Sequence, residues 1–452
     1  MIMEHMEQLL QNSKRIAIRL RLNVLNSPFV RDVVVLTLAN GVTAVLSFVQ
    51  GVLVARWLGP ELYGVAALIM SVPSLVYTLF DARSAEASVK YLSEFHARGE
   101  REQVLAMCKL GYVVDSAIAA LAFLVVAVSA GWAAANIVQR ADLVPLIIVY
   151  AAAFLPRALV GTSYAVLATL GRFSLISLID TLASVLRIGL VLGLVMAGWQ
   201  VAGVVWGNAL AMVATGLLYG AAGYALSRRT WNGSWLRGDW RTLKGRRREI
   251  AAFLVYNDLN ALLGVIPKQL DVVILGYFRN PTEVGYYKLA KSLTGVVAYV
   301  VGPLQSVVYP ELARFWGVGD TVALWRKVRK LALQVGLPLA SATLAGVALM
   351  PLVLPMLVGE TYRQAVPAAQ LLMVGSAVWL GLFWLRPVFF AQGRLGVWTR
   401  ISAIVVVLSV VGLLTIVPRW GYLGLSVWLM LVNMLGHAIG LWLIRWGLDN
   451  NG

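Results

Sequence analysis

The chain has 452 residues, 60% of them apolar and only 13% charged, with a mean hydropathy of +0.78. That is far more apolar surface than a soluble domain can bury, so composition excludes a soluble fold and defines a polytopic membrane protein. One cysteine, Cys108, and three scattered histidines, His5, His96 and His437, exclude a disulfide framework or a His/Cys metal site of ordinary spacing, and the formal charge is +17.

Residues 1–30 mix Lys14, Arg15, Arg19 and Arg21 with apolar residues. They read as a basic amphipathic segment lying on a membrane surface rather than as a cleaved signal peptide. Twelve apolar runs long enough to cross the hydrocarbon layer as helices follow, at 33–54, 62–82, 110–133, 144–169, 173–197, 201–227, 251–277, 284–308, 331–357, 366–391, 401–418 and 421–444. The sequence therefore predicts an all-α polytopic membrane protein of about 12 transmembrane helices.

With both termini cytoplasmic, the inner segments hold 27 of the 38 Lys and Arg residues. The outer connections hold 5, namely Arg56, Arg140, Arg279, Arg363 and Arg419. This asymmetry sets orientation by the positive-inside rule, and the basic inner face meets anionic lipid headgroups rather than nucleic acid.

The sequence also repeats. Trp57-Leu58-Gly59-Pro60 with Gly64 answers Phe278-Arg279-Asn280-Pro281 with Gly285 at an offset of 221. Leu92, Phe95, Gly99 and Glu100 answer Leu312, Phe315, Gly319 and Asp320 at 220. Gly171-Arg172 answers Gly393-Arg394 at 222, and Trp199 with Gly203 answers Trp420 with Gly424 at 221. A nearly constant offset at matching places in the span order predicts two six-helix bundles, 31–227 and 251–447, joined by a basic cytoplasmic linker at 228–250. Six is even, so both halves enter the membrane in one direction, a parallel repeat with the substrate path between the halves.

Six cations lie inside the apolar runs: Arg157, Arg187, Lys268, Lys288, Lys291 and Arg386. Each costs about 2.5–3.5 kcal/mol at bilayer depth on insertion scales, so such residues face a bundle interior or a watery cavity. They point to transport of something anionic. Lys288 and Lys291 are neighbours on one helix face, with no acid of their own helix on that face. Lys268 with Asp271, and Asp180 with Arg187, are spaced to share a face too, which equally fits structural ion pairs. Asp180, Asp258 and Asp271 are candidates for ion coupling, Asp258 having Asn257 and Asn260 beside it; Asp115 is a fourth deep acid. Trp379 shares a face with Arg386. Pro73, Pro156, Pro267, Pro303 and Pro387 predict bends, and Gly189 to Gly193 and Gly216 to Gly220 predict close helix packing.

No GxxxxGK loop occurs, and the outer connections reach only about ten residues, too short for a polymerase or transferase active site. These absences favour transport without catalysis, with no cofactor and no metal. The stretches VARWLGPELYGVAALIMSV from Val54, KYLSEFHARGE from Lys90, LGRFSLISLID from Leu170 and VVILGYFRNPTEVGYYKLAKSL in the second half resemble polysaccharide-unit flippases. These are the lipid-linked oligosaccharide translocases of the multidrug/oligosaccharidyl-lipid/polysaccharide exporter superfamily. The resemblance implies a flippase moving a polyprenyl-diphosphate-linked oligosaccharide from the cytoplasmic to the outer leaflet of a prokaryotic inner membrane. It further implies a polysaccharide polymerase or glycosyltransferases as partners, and a sugar ring as what Trp379, beside Arg386, would stack on. A cation-coupled drug exporter of the same superfamily is the alternative, disfavoured because cations outnumber acids in the spans and the first span has no ionisable residue after Asp32.

Overall fold

The computed structural model describes residues 28–80 and 84–449, without the side chains of 28–40, 42, 44, 84, 254–268 and 446–449. The N-terminal segment, Arg83, and the side chains of Asp32, Asp258 and Lys268 with those of Asn257, Asn260 and Pro267 lie outside what is described.

The described chain consists of helices joined by tight turns. Through the first half run α1 (Pro28–Phe80), α2 (Ser84–Ala97), α3 (Arg101–Ala133), α4 (Val144–Ala152), α5 (Phe154–Arg157), α6 (Leu159–Thr169), α7 (Phe173–Leu194) and α8 (Gln200–Thr230). The second half comprises α9 (Arg247–Phe278), α10 (Pro281–Gly317), α11 (Thr321–Leu331), α12 (Leu337–Val358), α13 (Val366–Gly381), α14 (Leu385–Ala391), α15 (Leu395–Thr415) and α16 (Val417–Asp449).

Among the described residues, nine uninterrupted stretches are long and apolar enough to cross a membrane. Two of them are each a pair of spans joined by a tight reversal. Gly59 (φ 72°, ψ 172°) divides α1, and Gly198 (φ 89°) with Gln200 (φ 45°) divides α7 from α8. With α9, whose described apolar part is Gln269–Phe278, the spans number twelve, six in each half.

The repeat is written in backbone as well as in sequence. Gly99 (φ 73°) and Gly319 (φ 74°) close α2 and α10 in the left-handed region, as Gly171 (φ 66°) and Gly393 (φ 70°) close α6 and α14. In each case the residue after the glycine donates its amide back to the last helical turn: Glu100 to Phe95 at 2.9 Å, Asp320 to Phe315 at 3.0 Å, Arg172 to Leu167 at 2.9 Å and Arg394 to Phe389 at 2.9 Å. These are Schellman closures, which need glycine because a Cβ disfavours positive φ. Gln200 (φ 45°, ψ −122°) and Gly421 (φ 56°, ψ −147°) form a further matched pair 221 residues apart.

At the end carrying Gly59 and Asn280 the halves meet by reciprocal contacts. Asn280 caps α10 by accepting from the Glu283 amide at 2.9 Å, with Pro281 at the first helical position. A Cβ on Gly64 would lie 1.8 Å from the Pro281 carbonyl oxygen, and one on Gly285 would lie 2.0 Å from that of Pro60. Each glycine thus admits the other half's proline turn, as a two-fold related contact requires. Gln139 adds bonds across the halves to the carbonyls of Gly276 at 3.2 Å and Arg279 at 2.8 Å. We expect Gly64→Val to force this end apart, so that a cysteine placed at the buried Val284, in a Cys108→Ala background, becomes reactive to an impermeant maleimide. Unchanged protection of that cysteine would show that the glycine contact does not hold the end closed.

The proposed bends and packing motifs resolve case by case. Helix continues through Pro73 and Pro303, but the fourth span breaks into α4, α5 and α6 around Pro156, and a turn at 382–384 precedes Pro387. Gly216 does mark a close approach, its Cβ position lying 2.1 Å from the Pro156 carbonyl oxygen, and Gly220 packs on Leu159. Gly189 and Gly193 have nothing within 4 Å, so that pair is not a packing seam in the described fold.

The linker folds against the first half. Arg246 forks onto Glu94 (2.7 and 3.2 Å) and Glu249 (2.9 and 3.0 Å) while its guanidinium lies over Tyr91 and Phe95. Hydrogen bonds from Arg246 hold the carboxyls of Glu94 and Glu249 below the ordinary glutamate value of 4.5. A depressed folded value means that the carboxylates' contribution is present above pH 4.5 and is lost as pH falls through the lower folded value. Hydrogen exchange over 240–249, corrected for intrinsic rates, is therefore expected to stay flat from pH 8 to pH 5 and to rise only below about pH 4.5. A rise near neutrality would contradict the clamp.

Candidate functional site

A cavity of about 580 Å³ opens among the spans of the first half, lined by residues of α1, α4, α5, α7 and α8 together with Gln269 of α9. Arg157 and Arg187 supply its cations and Asp180 its carboxylate; Thr43, Ser74, Thr78, Ser184, Asn208 and Thr215 add hydroxyls and an amide. The break at Pro156 is what places Arg157. Helix α5 ends on Arg157, and Gly216 lets α8 press against the Pro156 carbonyl. Arg187 lies two turns along α7 from Asp180. It donates to the Ser47 hydroxyl at 2.6 Å, while Asp180 accepts from the Tyr219 hydroxyl at 2.8 Å.

Sequence spacing left open an Asp180–Arg187 ion pair. Each instead takes a neutral hydroxyl partner, so neither guanidinium of this cavity is neutralised by a described carboxylate at contact distance. Several lining hydroxyls donate to helix carbonyls one turn back, Ser74 to Met70, Thr78 to Ser74 and Thr215 to Ala211, each at 2.7 Å. That arrangement occupies their protons and turns oxygen lone pairs toward the cavity. Asn208 does the same with its NH₂, donating to Val204 at 2.8 Å. The wall therefore combines two cations with acceptors that suit hydroxyl-rich or hydrated cargo. Tyr77 stacks on Phe154 at 4.6 Å between ring centroids, and Tyr150 meets Phe154 edge-on at 5.8 Å, forming an aromatic flank.

The other sequence candidates separate from this cavity. Asp271, 1% exposed, lies on α9 and accepts from the Tyr287 hydroxyl at 2.6 Å and from the Lys291 ammonium of α10. The Lys268 side chain, and with it a pairing to Asp271, lies outside what is described. One expectation is corrected there: Lys291 is not an unpaired cation but reaches Asp271 on the preceding helix. The reason is geometric: Tyr287 and Lys291 are four apart on one face of α10, and the hairpin at Asn280 folds that face onto α9. Lys288, partly buried, lies on α10 outside this cavity's lining. Arg386 is exposed and lines a distinct cavity of about 340 Å³ with Gln305, Ser306, Tyr309 and Phe390, its guanidinium 4.9 Å from the Phe390 ring centroid. Trp379, expected near Arg386 as a sugar platform, packs instead against the second-half core, and the deep acid Asp115 accepts from the Thr162 hydroxyl at 2.9 Å.

Tyr150 and Asn208 were not identified from sequence, since nothing in the periodicity of an all-apolar span says which face is wet. The substrate path was expected between the halves. This polar cavity is walled by the first half, with Gln269 the second half's contribution.

The fold is a bundle of twelve spans in two halves, with a cationic cavity set in the first half, and it is shared with solved structures of membrane transporters. An inward-facing multidrug resistance MATE family transporter of the MOP superfamily aligns at a TM-score of 0.68 and 15% identity over 90% of this chain and 95% of that one. The lipid II flippase MurJ in an inward closed conformation aligns at 0.71 and 11% identity over 91% and 87%. A mutant form of the Vibrio cholerae MATE transporter VcmN aligns at 0.52 and 16% over 90% and 98%. At these identities the likeness is one of fold. The sequence model of the family described as polysaccharide biosynthesis protein matches residues 29–316. The chain belongs to that family. Comparison with curated proteins gave no significant match.

Proposed function

We propose that this protein is a flippase for polyprenyl-diphosphate-linked oligosaccharide, working by alternating access from the cytoplasmic to the outer leaflet of a prokaryotic inner membrane, for surface polysaccharide. One observation carries the reading: two guanidiniums with no carboxylate partner among the described residues face a polar cavity amid apolar spans. A cation set among apolar spans is tolerated when an anion arrives to pair with it, and a diphosphate accepts forked hydrogen bonds from Arg better than from any other side chain. The acceptor-rich wall and aromatic flank suit sugar hydroxyls and ring faces. The polyprenyl tail stays in lipid while the head group crosses, and the protein performs no catalysis.

In this reading Arg157 and Arg187 bind the diphosphate and Asp180 is the coupling site. Arg386, at its separate cavity, makes a second contact along the path, and the Lys291–Asp271 pair holds α9 to α10. Lys268, Lys288 and Asp258 remain candidates for the second half's share of the passage. The bundles 31–227 and 251–447 are the bodies that rock, with 228–250 as the linker on the cytoplasmic side and both termini cytoplasmic. The end closed by Gly64 and Gly285 is then the outer one. Polymerase or glycosyltransferase partners would supply and consume the lipid. Deleting the gene tests this: accumulation of a polyprenyl-linked oligosaccharide with loss of surface glycan is expected. A normal lipid pool would overturn it.

A further inference from the structure

Where α3 and α9 emerge from their apolar runs, the linker leaves a groove of about 400 Å³ lined by Leu110, Trp240, Leu243, Arg247, Ile250 and Ala251. Its floor is apolar, with Leu243 and Ile250 each 2% exposed. Its rim is cationic. Lys109 reaches over the Trp240 ring, 5.1 Å from the centroid, while donating to the Gly238 carbonyl at 3.1 Å, and Arg247 donates to the Trp240 carbonyl at 3.1 Å. Within the run Arg246-Arg247-Arg248 the roles divide. Arg246 turns inward to Glu94 and Glu249 and fixes the linker, leaving Arg247 beside the groove. The segment 228–250 carries eight Lys and Arg against Asp239 and Glu249.

We propose that this groove is a binding site for a single anionic phospholipid of the cytoplasmic leaflet, one acyl chain lying along Leu110, Leu243 and Ile250 and the phosphate held by Lys109 and Arg247. Three features select that occupant. The slot sits at the membrane boundary, because Leu110 and Ala251 begin the apolar parts of two spans. The apolar surface that Leu110, Ala251 and the Trp240 ring leave open above Leu243 and Ile250 suits a hydrocarbon chain, whereas the rim suits a negative charge. Trp240, 43% exposed, has the apolar body and polar edge that favour the headgroup level. The bound lipid would tie the linker to the bilayer surface, next to the Arg246 clamp.

The test uses the full-length protein in vesicles containing photoactivatable phosphatidylglycerol or photoactivatable phosphatidylcholine, with adducts mapped by peptide mass spectrometry. Adducts on 104–112 and 236–251 are expected with the glycerol lipid and not with the choline lipid. Lys109→Gln/Arg247→Gln, at about 1 kcal/mol per charge, is expected to lower that yield about thirtyfold. Leu110→Trp fills the slot and should abolish the adducts while the rim charges stay; gel filtration of each variant shows that it remains folded. Equal labelling by both lipids, labelling unaffected by Leu110→Trp, or preferential labelling by a polyprenyl-phosphate probe would overturn the proposal.

Discussion

Replacing both cavity arginines, as Arg157→Gln/Arg187→Gln, is expected to abolish surface glycan while leaving the protein in the membrane at its normal level. A charge-assisted hydrogen bond is worth roughly 1.5–3 kcal/mol, so losing the cationic partner at two places weakens head-group binding by about a hundredfold or more. Folding should survive because Arg157 is exposed to the cavity and Arg187 gives up only the Ser47 hydroxyl. The conservative Arg157→Lys/Arg187→Lys variant keeps charge but loses the planar fork, and should retain a small fraction of output. Surface glycan staining, normalised to immunoblotted protein, measures both. Full glycan from the double Gln variant would remove these residues from the path.

The second large effect falls on stability. Lys291→Gln leaves Asp271, 1% exposed, without its described ammonium partner. Stranding one member of a fully buried pair costs about 3–5 kcal/mol; with the Lys291 side chain 28% exposed the cost here lies below that range, still enough of a typical protein's margin for folded protein to fall. Asp271→Asn/Lys291→Gln removes both charges and retains an acceptor for Tyr287, so it should recover most of the loss. Detergent-resistant monodisperse protein, measured by fluorescence-detected gel filtration, reports the effect. Equal yields of the single variant and wild type would show that the pair is dispensable.

These two expectations mark where the sequence was readable and where it was not. Turn chemistry was legible, since a glycine at 99, 171, 319 or 393 serves a left-handed closure that few residues can occupy, and its recurrence at offsets of 220 and 222 displays the two halves. Arg157 was legible for a related reason: a proline beside it predicts a break, and a break inside a span exposes a side chain to a cavity. Rotation of an apolar helix about its own axis left no such mark. Periodicity could not say that Lys291 reaches across a hairpin to Asp271, twenty residues away, or that the wet face of the first bundle includes Tyr150 and Asn208. The Gly189 to Gly193 spacing misled because glycines one helical turn apart mark packing only where another helix approaches, and at that level none does among the described residues.

The most direct measurement reconstitutes the purified protein in vesicles with polyprenyl-diphosphate-linked oligosaccharide and follows how much of the glycan an impermeant glycosidase can reach. The accessible fraction is expected to grow with wild-type protein and not with Arg157→Gln/Arg187→Gln. An unchanged leaflet distribution with wild type, or equal growth with the variant, would contradict a flippase that works through these two arginines.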